Sequence, residues 1–186
     1  NYKKLIVRIT YTKDLNLVIS KNESVINAIQ EIQLDDITFK TFDNSKLNLN
    51  VNSRNFILYS DGKSKTELNL KSENATIELS KNASLKALIN AIDLKCDLYQ
   101  KSKANLEGDV TNAIIRLDNN ADFTANNLVL KNAELIAESF SSGSVNVNRN
   151  LNIDVSGNSE IKIYGNPKIE IKRFIDSAIL IKKPTK

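Results

Sequence analysis

The sequence predicts an all-β fold, a right-handed parallel β-helix in which each coil takes about 16–22 residues. Three observations lead there. Asparagine returns every 38 positions, at Asn44, Asn82, Asn120 and Asn158. Beside it come a small residue (Ser45, Ala83, Ala121, Ser159) and, two further on, an apolar one (Leu47, Leu85, Phe123, Ile161). A bulky position beside a small one at a fixed lag is what stacked coils need, because each unit must fit over the same position of the unit below. The third observation is period-2 alternation, as in Leu47-Asn48-Leu49-Asn50-Val51, Thr76-Ile77-Glu78-Leu79 and Leu151-Asn152-Ile153-Asp154-Val155. Such runs mark half-buried strands, and the Asn, Ser, Asp and Gly clusters between them mark turns. An antiparallel sandwich suits the same strand lengths but requires no regular lag.

In chain order, residues 1–42 precede the ladder and are read as capping strands within the same domain as the 43–186 repeat region. Leu5–Ile9 and Leu15–Ile19 alternate like strands, and the apolar spacing at 25, 26, 29 and 32 predicts a short helix with Asn22 or Ser24 as N-cap. Within the repeats a second apolar set (Leu68, Leu106, Val145, Ile179) falls between the first. Together the two sets give intervals of 21, 17, 21, 17, 22, 16 and 18 residues, so the 38-residue lag is read as two coils of unequal length. The ladder asparagines are assigned to corners, where Asn tolerates a left-handed backbone and its amide can bond the next coil. Tyr164 and Ile169–Ile171 close the last alternating runs.

At 186 residues and 41% hydrophobic, the chain can fill one substantial apolar column. It has no run of eighteen apolar residues and no apolar N-terminal stretch of signal-peptide type. It also lacks methionine, which reads as a trimmed or mature fragment. The single Cys96 can form no intrachain disulfide and lies in phase with the apolar side of Ile92–Cys96, as a buried thiol does. The net charge of +4 sits at the C-terminal end, where residues 160–186 hold seven Lys/Arg against three Asp/Glu. Lys172, Arg173, Lys182 and Lys183 are therefore candidates for an acidic partner, although a lysine-rich end that protects an open strand edge is the simpler reading. Nucleic acid is disfavoured, because the five arginines are scattered and no clustered aromatic platform accompanies them.

Catalytic motifs are missing: there is no Walker loop, dinucleotide fingerprint, nucleophile elbow or Cys/His metal set, and no histidine at all. No cofactor is expected. Asp122 and Glu160, one ladder period apart, are the carboxylate pair to inspect for glycoside cleavage. Asp118–Asp122 has calcium-type ligands without the spacing or glycines of a calcium loop.

The stretch Val155–Ile171, with Gly157 in its turn and Tyr164-Gly165-Asn166-Pro167 before a final strand pair, resembles the closing signature of autotransporter-adhesin head domains, the GIN family of Bacteroidetes. Asn158 and Glu160 depart from that family's glycine-rich turn, and Ile175-Asp176-Ser177 replaces another small, Gly-rich one. The resemblance covers most of the chain, and its specific part is the C-terminal thirty residues. It implies a β-helical domain exported to the cell envelope or secreted, with adhesion proposed and no catalytic residue to carry over. The expectation is thus a non-enzymatic surface that meets a protein, a polysaccharide or a sister copy. A carbohydrate-active enzyme and a structural spacer are the alternatives.

Overall fold

The structure is a computed structural model that describes residues 6–184. One twelve-stranded, all-parallel sheet winds into a solenoid of about nine turns. A half-coil, β1 (Leu17–Ser20), leads into a full coil made of β2 (Val25–Asn27) and β3 (Ile32–Thr41). Six full coils follow, each one long strand: β4 (Lys46–Ser60), β5 (Lys65–Leu79), β6 (Ser84–Tyr99), β7 (Lys103–Asp118), β8 (Asp122–Ala137) and β9 (Ser142–Val155). The last full coil is β10 (Glu160–Tyr164) with β11 (Lys168–Phe174), and β12 (Ile179–Lys182) is a closing half-coil.

Every coil has two sides joined by a corner. In β4 the inward residues are 47, 49, 51 and 53 on one side, then 56, 58 and 60 on the other. The phase slips where Arg54 and Asn55 both turn outward, and Arg54 is left out of the pairing with β5. Alternation on either side of that slip places one apolar face inside all around the coil.

Stacking at equal register builds continuous core columns. One runs Val18, Phe39, Leu58, Ile77, Cys96, Ile115, Leu135, Ile153, Ile171. Another runs Ile26, Leu47, Thr66, Leu85, Ala104, Phe123, Gly143, Ile161, Leu180. Each fully buried Leu or Ile contributes roughly 1.5–3 kcal/mol, and the parallel ladder satisfies the backbone between coils.

These pairings correct the unequal coils. Lys46 pairs with Lys65, Lys65 with Ser84 and Ser84 with Lys103, a step of 19 residues each time. The 21/17 alternation arose from mixing two inward columns two residues apart. Leu68 and Leu106 belong with Leu49 and Ala87, whereas Leu47 and Leu85 belong with Thr66 and Ala104. Ile179 belongs to neither set, since it pairs with Glu160 at an outward position.

The turns explain the small column. The first turn residue is left-handed at every coil: Asn22, Asp43, Gly62, Lys81, Gln100, Asn119, Ser139, Gly157 and Asp176. Two residues later comes Ser24, Ser45, Ser64, Ala83, Ser102, Ala121, Ser141, Ser159 or Ala178, and from Ser45 to Ser159 these are at most 1% exposed. In the Asp43, Lys81 and Gln100 turns, the small residue's N–H donates across the turn at 3.2 Å (Ser45 to Phe42, Ala83 to Ser80, Ser102 to Tyr99). The tight turn leaves no room inside for a larger side chain.

The helix expected over 22–32 does not form. Asn22-Glu23 is a turn, and Val25–Asn27 is a strand on Lys46–Asn48. Ile26 and Ile32 take the inward columns of Leu47 and Val51, while Val25 (50%) and Ile29 (79%) stay exposed. The open edge of β4 competes for this segment's backbone donors and acceptors, and tertiary pairing overrides the local spacing. Residues 6–9 of the first strand-like run are not a strand, and Leu5 lies outside the described residues. Of the second run, Leu17–Ile19 are in β1.

Candidate functional site

An outward polar ladder follows the corner. The Asn55 amide donates to Asp36 at 2.6 Å and that of Asn74 to Asn55 at 2.9 Å. A second chain runs from Asn150 to Asn132 (2.8 Å), Asn132 to Asn112 (3.0 Å) and Asn112 to Asp93 (2.9 Å). Each chain ends on an aspartate, which only accepts when ionised and so receives the last donor. This column holds Asn or Asp at each coil from β3 to β9, whereas the four asparagines at the 38-residue lag occupy the second turn position of alternate coils. Lys63, Lys101 and Phe140 stand between them, and Ser177 follows the last. Asn44 and Asn82 donate their backbone N–H to Asn22 and Gly62 of the preceding coil, at 2.9 and 2.8 Å, and Asn120 donates to Ser139 at 3.0 Å. Asn120 alone of the four is left-handed. The corner ladder was visible as a 19-residue lag through Asn55, Asn74, Asp93 and Asn112, but the 38-residue lag obscured it.

The basic candidates gather on the last coils. Lys172 and Arg173 lie on β11, Lys182 ends β12 and Lys183 follows it. Lys172 pairs with Glu134 at 3.1 Å, and Arg173 reaches both Asp154 (2.5 Å) and Glu138 (2.7 Å). The hydrogen bonds that Arg173 donates to Glu138 and Asp154 push its guanidinium further up from its ordinary value. The Lys182 ammonium donates to the Lys183 carbonyl at 3.1 Å.

Asp122 and Glu160 share an outward column with Ser142 between them, so they stand two coils apart, roughly 9.6 Å at a strand spacing of about 4.8 Å. Each has its own lysine: Lys103 lies 3.9 Å from Asp122, and Lys162 lies 3.0 Å from Glu160. Within Asp118–Asp122, Asp118 accepts from Asn119, and among the described residues no cluster of three or more Asp, Glu, Cys or His could hold a metal.

Cys96 is wholly buried between Ile77 and Ile115. Burial pushes its thiol far above the ordinary range, with the nearby Asp97 carboxylate adding to the shift. The native protein is therefore expected to leave Cys96 unmodified by an aromatic disulfide reagent at neutral pH, with full reaction after denaturation. Rapid labelling of the folded chain contradicts this placement.

The two outer sides differ in how their charges are used. On the side formed by the second half of each strand, Lys40 lies over the Tyr59 ring at 5.4 Å, Lys95 pairs with Asp97 at 3.2 Å and Arg116 with Glu138 at 3.5 Å. On the other side, Asn48, Asn50, Glu67, Lys86, Leu88 and Glu107 line a shallow groove of about 430 Å³. Among the described residues, Glu67, Lys86 and Glu107 make no ion pair, and Leu88 is 45% exposed. These outward residues carried no catalytic motif, and only the alternation of their strands marked them as facing solvent.

A family model described as "Putative auto-transporter adhesin, head GIN domain" matches residues 1–167. The chain belongs to this GIN-domain family. No curated protein and no solved structure matches the chain. Membership places it among adhesion-type domains of the cell surface or envelope, and the described residues contain no helix long and apolar enough to cross a membrane. In the Tyr164-Gly165-Asn166-Pro167 stretch the glycine has a structural reason: Gly165 is left-handed at φ 77°, and a Cβ there would meet the Val147 carbonyl oxygen at 2.2 Å.

Proposed function

We propose that this GIN domain is a non-enzymatic adhesion-type module that docks an extended protein or glycan on the groove side of β4–β7. The observation that carries this reading is the set of unpaired outward charges around the exposed Leu88. On the opposite side Lys95, Arg116, Lys172 and Arg173 are each paired with a carboxylate. Outward residues repeat about every 6.6 Å along a strand and about every 4.8 Å across the coils, a lattice suited to a chain with repeating groups. Amides supply both donors and acceptors, and carboxylates and lysines add charge selection.

The test is a glycan array together with pull-downs from surface proteins, using the wild type and two alanine variants. One variant replaces Glu67, Lys86 and Glu107, and the other replaces Lys172, Arg173, Lys182 and Lys183. Loss of binding in the first alone supports this docking side. Loss in the second alone moves the site to the basic end, and no binding by the wild type leaves a spacer. The enzyme reading is not favoured, because Asp122 and Glu160 are separated by Ser142 and each faces a lysine.

A further inference from the structure

The two ends of the solenoid are complementary half-coils. At one end β1 supplies only the second side of a coil and pairs with β3. At the other end β12 supplies only the first side and pairs with β10. The sheet edges are therefore β1 and β2 at the first end, and β11 and β12 at the last. Placed end to end, one copy's β12 and the next copy's β1 make one whole coil. β1 would then lie on β11, and β2 on β12.

We infer that the protein stacks head to tail with a second copy of itself, continuing the core columns across the junction. Ile171 and Phe174 stand above Ile153 and Val155, which are fully buried, yet are themselves 52% and 46% exposed. In the joined coil Ile171 meets Val18, Phe174 meets Ser20 and Leu180 meets Ile26, residues that already occupy the same columns. The turn column continues as well. Asp43 accepts the Asn22 N–H, and Asp176 accepts the Gly157 N–H, both at 3.0 Å and both from the coil before. Asn22 holds the equivalent position in the second copy, so its side-chain oxygen can accept the Asp176 N–H.

Charge sets the direction. Residues 17–43, which hold the strands of the first end, carry five Asp/Glu against two Lys, a net of −3 that Lys3, Lys4, Arg8 and Lys13 against Asp14 offset in the preceding segment, while residues 160–183 carry six Lys/Arg against three Asp/Glu, a net of +3. Two lysine-rich ends repel, so the edge that resists its own kind accepts the end whose strand segments are acidic. A head-to-tail contact of this kind does not close on itself and grows as a filament. The inference stands apart from the groove, and failure of either leaves the other intact.

The test is sedimentation of the 1–186 chain across concentration and salt. The wild type is expected to form a series of species beyond the dimer, shortening as salt rises from ~0.01 to ~0.15 M, because the Debye length falls from about 30 to about 8 Å. A tail-blocked variant (Ile171→Asp, Phe174→Asp) and a head-blocked variant (Val18→Lys, Ile26→Lys) are each expected to lose all species above the monomer. Their equimolar mixture retains one free head and one free tail, so it forms dimers and nothing larger. The solvent-facing Lys182→Glu, Lys183→Glu variant guards against misfolding and is expected to weaken assembly at least tenfold at low salt. A wild type that is monomeric throughout, or that stops at a dimer unaffected by the tail block, overturns the inference.

Discussion

Phe123→Ala is expected to cost about 3–5 kcal/mol of unfolding free energy, read from urea denaturation followed by circular dichroism. The size follows from the column it occupies. Phe123 stacks between Ala104 on one coil and Gly143 on the next, two of the smallest residues available. Its ring, 1% exposed, fills the space that they leave. The fit is tight on the other side too: a Cβ at Gly143 would lie 3.0 Å from the side chains of both Ile161 and Leu117. Alanine at 123 puts three small residues in succession and opens a cavity that the paired backbones cannot collapse, since β7, β8 and β9 are held in register. A loss below about 1 kcal/mol would show that the column relaxes freely. Gly143→Ala in the Phe123→Ala background offers a further check, because the added methyl should recover part of the loss.

Gly108→Ala should cost at least about 3 kcal/mol, or prevent folding, through the backbone rather than a cavity. Gly108 lies in β7 at φ 112°, and a Cβ built there would sit 2.2 Å from the Ile89 carbonyl oxygen of the coil below. That oxygen belongs to the ladder and cannot turn away as a flexible side chain would. The glycine stands next to the register shift between Asn105 and Glu107, where β8 takes one extra residue and the step lengthens from 19 to 20. A glycine inside a strand marks a close approach of another backbone, here that of Ile89. Thermal melts of Gly108→Ala and of Gly62→Ala make a useful pair. Gly62 is also left-handed, but its Cβ would meet Asp43 backbone at 2.9–3.0 Å, so the milder clash predicts the smaller fall. Equal falls would refute the steric account.

The solenoid was legible because its evidence is periodic. Leu47 and Leu85 are two coils apart in one column, and so are Ser45 and Ala83 in the small one. Stacking demands the same size at the same place. The coil length was misread because Thr66 and Ala104 interrupt the apolar column between Leu47, Leu85 and Phe123. A buried threonine in a core column looks like a surface residue in sequence, and Thr66 is only 2% exposed. The mistaken helix at 22–32 has a similar origin. Ile26 and Ile32 are inward on the same side of a coil, in the columns of Leu47 and Val51, and two extra residues between them stretch a spacing of four to six, which mimics a helical pattern.

For the candidate surfaces the division is sharper. Lys172 and Arg173 read as free positive charges in sequence, but Glu134, Glu138 and Asp154, 19 to 38 positions away, become their neighbours when the coils stack. Ion pairs that exposed contribute little to stability, yet they decide which charges remain available to a partner.

By itself the sequence determined the fold class, the inward column through Leu47, Leu85, Phe123 and Ile161, the small residue after the turns and the family. All of these depend on steric repetition, which leaves a lag in the chain. Only the tertiary structure decided the 19-residue coil, the corner ladder of amides, the pairing of the basic end and the complementary half-coils at the two ends. Those features depend on which residues lie one strand spacing apart, and that distance exists only once the chain has wound.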